Sequence, residues 1–309
     1  MPIHIGIHDT EGDNIKKKTF PNYALMKISA FHKSQGHTVS WWNPIEQYDI
    51  TYSSKVFGFM PDNPHLPESA ILGGTGYGDR QSFKELPTDI ERMFPDYSIY
   101  PDYNYAIGYL TRGCPNHCNW CVVPEKEGDI RPYRHWQELV RPDSNQLVLM
   151  DNNILASEHG ISELESLIGS GYAIDMNQGM DARLFDERIA AVAARLKWIR
   201  YIRFSCDTLA QVSEINRTAD LLARYGVKPY RLFIYLLVTK DLANAVERVE
   251  GLKHHKGITI YAQAERNEHK GIVPNKAQLE FARYVYSGIF RTVTWWEYCK
   301  TRKLSTELL

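Results

Sequence analysis

The chain has 309 residues, 43% apolar and 24% charged, and its 36 basic against 37 acidic side chains leave a formal net charge of -1. This composition excludes a disordered or fibrous chain, and the near-zero charge argues against non-specific DNA binding, whose affinity comes from many Lys and Arg on phosphates. The longest apolar run, Leu232 to Val238, is far shorter than the roughly 20 residues that span a bilayer, and Met1 to Asp13 lacks the marks of a signal peptide, so a cytoplasmic protein with no membrane partner is expected.

At this length a single core stops growing, so one large domain with a smaller neighbour is expected. Ile3, Ile5 and Ile7 alternate as in a half-buried strand. Pro21 and Asn22 open a helix with Ala24, Leu25, Ile28 and Phe31 on one face, and Gly36 marks its stop. Val39 and Trp41 begin a second strand, Ile50 to Phe59 offers a third, and Ala70 to Leu72 a fourth that runs into Gly73-Gly74-Thr75-Gly76. These elements predict a small, open, Rossmann-like α/β domain over residues 1–84. Pro87, Pro95 and Pro101 then lie among aromatic and acidic residues, which reads as a linker over 85–104.

Six strand candidates follow: Tyr105 to Leu110, Leu147 to Met150, Ala173 to Met176, Tyr201 to Phe204, Arg231 to Val238 and Ile258 to Ala262. Helical patterns separate the later ones, at Ser162 to Ile168, Glu187 to Leu196, Ala210 to Tyr225 and Leu242 to Leu252. Alternation of this kind implies parallel crossovers, and six units fit a partial, TIM-like α/β barrel over 105–268. Polar chemistry is then expected at the carboxyl ends of the strands. Residues 269–309 read as a helical tail with basic residues (Lys270, Lys276, Arg283, Arg291, Lys300, Arg302, Lys303) outnumbering acidic ones (Glu280, Glu297, Glu307). Its interleaved aromatics suit either a nucleic-acid backbone or packing on the barrel, and the spacing of Leu279, Ala282, Tyr286 and Ile289 favours packing.

Three of the five cysteines, Cys114, Cys118 and Cys121, fall in Thr111-Arg112-Gly113-Cys114-Pro115-Asn116-His117-Cys118-Asn119-Trp120-Cys121, directly after the first barrel strand. In a reducing compartment such clustering points to metal. Three thiolates can hold three irons of a cubane cluster and leave the fourth open. A structural zinc would need a fourth ligand, for which only His117 is near.

The C-x3-C-x2-C spacing, with aromatic Trp120 before the last cysteine, resembles the radical S-adenosylmethionine (SAM) enzymes. The flanking Arg-Gly-Cys-Pro-Asn and Val122-Val123-Pro124 are most similar to the branch containing cobalamin-dependent members and tRNA methylthiotransferases. The resemblance implies a [4Fe-4S] cluster on Cys114, Cys118 and Cys121, with SAM on the open iron and Trp120 bordering the adenine. It places Asp151, Asn152 and Asn153 at the methionine amino group, where the family carries a Gly-Gly-Glu form. Asn177, Gln178 and Arg183 after the third strand, Ser205 and Asp207 after the fourth, and Gln263 and Arg266 after the sixth would meet ribose and carboxylate. Each of these sets could instead cap the helix that follows.

The activity implied is reductive cleavage of SAM to a 5'-deoxyadenosyl radical that abstracts hydrogen from a substrate, with a reductant such as flavodoxin or ferredoxin as partner. A small molecule or nucleotide is the favoured substrate and RNA the next. The competing reading is an iron-sulfur protein for electron transfer or sensing. Cys206, at a strand end, is a candidate catalytic thiol that donates a hydrogen atom, or else a core thiol, and the same choice holds for Cys299. No Asp-x-His-x-x-Gly motif is present, since His8-Asp9-Thr10-Glu11-Gly12 runs in the wrong order. Cobalamin is therefore not favoured, although Gly73-Gly74-Thr75-Gly76 would let a cofactor approach closely.

Overall fold

A computed structural model describes residues 1–13, 19–78, 85–267 and 270–302, so Lys303 and Glu307 of the basic tail lie outside the described residues. The chain divides into two compact units that meet in sequence between Asn104 and Tyr105.

The first unit runs β1 (His4–Asp9), α1 (Tyr23–Ser34), β2 (Thr38–Trp41), β3 (Ile50–Ser54), β4 (Ile71–Gly73) and α2 (Thr88–Glu91). Its four strands are parallel in the order β2-β1-β3-β4. The β-branched alternation of β1 buries Ile5 and Ile7 against Leu25 and Ile28 of α1. Asn22 caps α1 by accepting from the Leu25 N–H at 3.2 Å, and Gly36, at φ +78°, lets the chain turn away. Residues 85–104, expected as a linker, belong to this core: Ile90 is buried with Ile5 and Ile7, and the Tyr100 hydroxyl donates to Asp9 Oδ2 at 2.5 Å. The proline spacing suggested an extended tether because it hid the apolar positions between the prolines. Gly74 and Gly76 serve close packing inside this unit. A Cβ on Gly74 would lie 2.4 Å from the Lys55 carbonyl oxygen, and one on Gly76 would lie 2.8 Å from the Phe57 carbonyl carbon.

The second unit starts with β5 (Ala106–Gly108), β6 (Thr111–Arg112), α3 (Val123–Lys126), β7 (Arg131–Pro132), β8 (Gln146–Leu149), α4 (Glu158–Ser166) and β9 (Ala173–Met176). It continues with α5 (Glu187–Arg195), β10 (Lys197–Trp198), β11 (Ile202–Ser205), α6 (Ala210–Arg224), β12 (Leu232–Val238), α7 (Leu242–Leu252), β13 (Thr259–Ala264), α8 (Lys276–Tyr286) and α9 (Trp295–Thr301). β5, β8, β9 and β10 form one parallel sheet, and β11, β12 and β13 another. The Met180 N–H donates to the Arg203 carbonyl at 2.8 Å and the Ser205 N–H to the Met180 carbonyl at 3.3 Å, which join the two sheets just beyond β9.

In β12 the seemingly continuous apolar run alternates. Leu232, Ile234, Leu236 and Val238 are buried in the core, whereas Phe233, Tyr235 and Leu237 are half-buried on the opposite face. The tail packs onto the same core through Phe281, Tyr284, Phe290, Trp295 and Tyr298. Among the described residues no helix is long and apolar enough to cross a membrane.

Candidate functional site

The cysteine loop leaves the β6/β7 hairpin and is held by backbone and carboxylates. Gly113 has φ +80°, and a Cβ there would lie 2.1 Å from the Asp129 carbonyl oxygen, so only glycine lets the loop dock on this segment. The Cys114 N–H donates to the Gly128 carbonyl at 3.1 Å, which fixes the first cysteine. Glu127, just after α3, gathers the base of the loop. Its carboxylate accepts from Arg112 at 2.9 and 3.0 Å, from the Gly113 N–H at 3.1 Å and from Asn152 Nδ2 at 2.9 Å. The Arg112 guanidinium also lies 4.2 Å from the centre of the Tyr109 ring, a cation-π contact that fixes its plane.

Asp151 follows β8 and turns inward. It is 1% exposed. Oδ1 accepts from the Thr111 N–H at 2.6 Å, the Thr111 hydroxyl at 2.7 Å and the Leu110 N–H at 3.1 Å, so the carboxylate braces the backbone that enters the cysteine loop. Burial raises its pKa to about 6 against the opposing pull of these donors. Both Asp151 oxygens, expected at a methionine amino group, face donors of the chain itself in this structure. Asn152 likewise serves Glu127.

Asn153 is different. It is 3% exposed, its Nδ2 lies 3.7 Å from Cys114 Sγ, and its Oδ1 is buried with no hydrogen-bond partner among the described residues. A buried unmatched acceptor costs about 1–3 kcal/mol, which favours a donor being supplied from outside the chain.

Several predicted residues converge on the cysteines. Burial raises the thiol pKa of Cys118, the other two thiols and the Asp207 carboxylate raise it further, and Arg183 opposes them. Burial also raises Cys121, with Cys114, Asp207 and Glu127 adding to it. Arg183 is gripped by Asp181 at 2.6 and 2.8 Å, and Asn116 of the loop donates to Asp181 at 3.3 Å. The ends of β9 and β11 are thus brought to the cysteine loop. A set of mutually repelling sulfurs beside a carboxylate becomes favourable as thiolates when a cation is supplied.

The three Sγ atoms do not all lie within 4.8 Å of one another, a spacing wider than the about 3.8 Å between sulfurs on one tetrahedral zinc and compatible with separate irons of a cluster.

Trp120 is half-buried on the loop, Asn177 and Ser205 are half-buried at their strand ends, and Gln178 is exposed. Gln263 and Arg266 stand exposed at and beyond the end of β13, and no hydrogen bond among the described residues ties Gln263 to the cysteine loop. Cys206 is fully buried in the apolar core, where burial pushes its thiol up to about 12. Of the two readings for Cys206, a hydrogen-donating thiol or a core thiol, its burial in this structure favours the core thiol. Cys299, 1% exposed, belongs to the same core.

Sequence reading missed the face beside this site. Asp175 on β9 grips Arg203 on β11 through two contacts of 2.6 Å, and Arg203 donates to the Tyr235 hydroxyl at 3.0 Å. Phe233 and Tyr261 stack alongside at 6.1 Å between ring centres. The period-two placement of Phe233 and Tyr235 in β12 was the available signal.

The fold and the cysteine loop together define a two-unit α/β architecture with parallel sheets of the kind found in radical SAM enzymes. The cobalamin-dependent SAM radical enzyme OxsB, in the structure with aqua-cobalamin and SAM bound, matches with a TM-score of 0.54 and 11% identity. The match covers 94% of this chain and 56% of that one. OxsB with aqua-cobalamin alone matches with a TM-score of 0.53 and 11% identity, covering 93% of this chain and 56% of that one. The present chain thus spans just over half the length of OxsB and shares its fold. Streptococcus suis SuiB bound to the precursor peptide SuiA overlaps less well, with a TM-score of 0.43 and 14% identity over 64% of this chain and 46% of that one. No family model matches the sequence, and no curated protein does.

Proposed function

We propose that this chain is a radical SAM enzyme whose six longer parallel strands form a partial barrel around the cysteine loop. The observation that carries the reading is the convergence of Cys114, Cys118, Cys121, Arg183 and Asp207 from three separate strand ends, with the unmatched Asn153 Oδ1 beside Cys114. Cys114, Cys118 and Cys121 would hold a [4Fe-4S] cluster. Bound there with SAM, that cluster supplies reductive cleavage of SAM and a radical that abstracts hydrogen.

The rest of the work falls to the chain. Asn153 Oδ1 would accept from the ammonium of the methionine moiety, and Arg183, held in place by Asp181, would face its carboxylate. Asp207, whose Oδ1 accepts from the Leu237 N–H at 3.3 Å, and Ser205 would meet the ribose. Asp151 and Glu127 keep the loop in register, and the aromatic face of β12 and β13 would exclude water once a substrate covers it. That face, with Arg203 fixed by Asp175 and Tyr235, supports a small or medium-sized metabolite or a modified nucleotide as substrate, ahead of structured RNA. A flavodoxin or ferredoxin would deliver the electron. Cobalamin, bound in the OxsB structures whose fold this chain shares, stays the less favoured cofactor, because the sequence carries no Asp-x-His-x-x-Gly motif.

The test is anaerobic reconstitution with iron and sulfide, followed by reduction in the presence of SAM. Formation of 5'-deoxyadenosine by the parent chain and its loss in Cys118→Ala are expected. An intact cluster with bound SAM that yields no 5'-deoxyadenosine, even with cell extract added as substrate, would favour an electron-transfer or sensing protein.

A further inference from the structure

Away from the cysteine loop, His135, His159 and Glu163 place one ligand atom each within 4.8 Å of one another, and no other such set of His, Cys, Asp and Glu occurs among the described residues. His159 lies in the first turn of α4 and Glu163 one turn later, the i, i+4 spacing that puts both on one face. His135 comes from the segment after β7.

Each neighbour restricts how these three side chains can be used. His159 Nε2 lies 3.0 Å from the Arg134 carbonyl oxygen. A carbonyl only accepts, so Nε2 carries the proton, and in the neutral ring the lone pair sits on Nδ1. A backbone carbonyl on the outer nitrogen is the arrangement that orients imidazoles bound to metals. Glu163 Oε2 accepts from the Trp136 N–H at 2.8 Å, which orients the carboxylate and leaves Oε1 towards the histidines. Oε1 lies 2.7 Å from His135 Nδ1, and the His135 and His159 rings meet edge to face at 5.3 Å. Glu163 is largely buried while His135 is exposed, so the cluster is anchored on one side and reachable from solvent on the other.

From this geometry we infer that His135, His159 and Glu163 form a second metal site, for a divalent transition ion of which zinc is the best match. Two imidazoles and one carboxylate are a donor set that zinc accepts with a water in the fourth position. Bonds of about 2.0–2.1 Å in a tetrahedron separate ligand atoms by about 3.3 Å, so admitting the ion needs the 2.7 Å His135–Glu163 contact to open by about 0.6 Å, the His159 atom to draw in from within 4.8 Å, and the capping bond that the His135 side chain accepts from the Glu138 N–H to give way. The ion takes the place of the proton between His135 and Glu163. It would tie α4 to the segment whose Tyr133 and Arg134 N–H groups donate to the Leu110 carbonyl at 2.9 and 3.2 Å, immediately before the cysteine loop. The site is independent of the radical SAM reading, because no cysteine takes part.

The experiment loads the full chain, with its cluster reconstituted, with zinc under anaerobic conditions, removes the excess by dialysis, and measures zinc by mass spectrometry and X-ray absorption. About one zinc per chain with a nitrogen and oxygen shell near 2.0–2.1 Å and no sulfur is expected. The same zinc content should persist in Cys114→Ala/Cys118→Ala/Cys121→Ala, while His159→Gln and Glu163→Gln bind zinc at least about tenfold more weakly. Sulfur in the zinc shell, unchanged binding in both His159→Gln and Glu163→Gln, or no zinc retained by the parent overturns the assignment. Because the absorption spectrum is read on the parent chain, the test stands even if a variant fails to fold.

Discussion

Replacing Asp151 separates the two demands on a buried acid, acceptor geometry and charge. Three donors, the Leu110 N–H, the Thr111 N–H and the Thr111 hydroxyl, point at Oδ1 within 3.1 Å. Asp151→Ala strands them in the interior at about 1–3 kcal/mol each, so a loss of about 3–5 kcal/mol is expected after partial relaxation. Asp151→Asn keeps an oxygen at Oδ1 and removes the penalty of burying a charge. It places an amide against the Leu110 N–H, which lies 3.2 Å from Oδ2, so its net cost should be about 1 kcal/mol.

Urea unfolding followed by circular dichroism measures both. With a slope of about 3 kcal/mol/M, the alanine midpoint should fall by about 1–1.7 M and the asparagine midpoint by about 0.3 M. Equal shifts for the two variants would mean that charge rather than acceptor geometry matters, and an unchanged alanine midpoint would refute the bracing role altogether. The pH dependence supplies a second reading. Because the folded pKa is raised to about 6, the fold holds its proton more tightly than the unfolded chain does. Stability from this group is therefore full below the unfolded value and is lost as pH rises from about 4 through about 6. Asp151→Asn should flatten that slope.

Three further outcomes are expected. Gly113→Ala, which combines φ +80° with a Cβ 2.1 Å from the Asp129 carbonyl oxygen, should abolish iron incorporation measured after anaerobic reconstitution, and normal iron content would contradict the docking geometry. Asn153→Ala should weaken SAM binding about tenfold in equilibrium dialysis while iron and sulfide stay at parental levels, since a single hydrogen bond to a charged group is lost; equal affinity would remove Asn153 from the pocket. Cys206→Ala should leave cluster content and 5'-deoxyadenosine formation unchanged and cost about 1 kcal/mol in urea unfolding, and loss of SAM cleavage would restore a chemical role to this buried thiol.

Periodicity made much of the second unit legible. Ala173–Met176 and Leu242–Leu252 have the bounds that their patterns predict, because each element buries one regular face. The cysteine loop was legible for another reason, since three thiols at close spacing have few structural uses outside metal binding. Side-chain direction at the strand ends was not legible. Asp151, Asn152 and Asn153 are adjacent and chemically alike, yet one braces Thr111, one serves Glu127, and one leaves an acceptor unmatched beside Cys114. That sorting depends on backbone torsions that no pattern of residue types encodes. The Asp175–Arg203 pair was missed because strand periodicity marks apolar faces, and here the second face carries a guanidinium neutralised by a strand 28 residues away in sequence.

The most direct measurement of the central claim is electron paramagnetic resonance of the reduced, reconstituted chain before and after addition of SAM. A [4Fe-4S] signal that changes its g values on SAM binding, and that is absent from Cys114→Ala, Cys118→Ala and Cys121→Ala, is the predicted result. A signal indifferent to SAM, or a protein that holds zinc on these cysteines and no iron, would contradict the account.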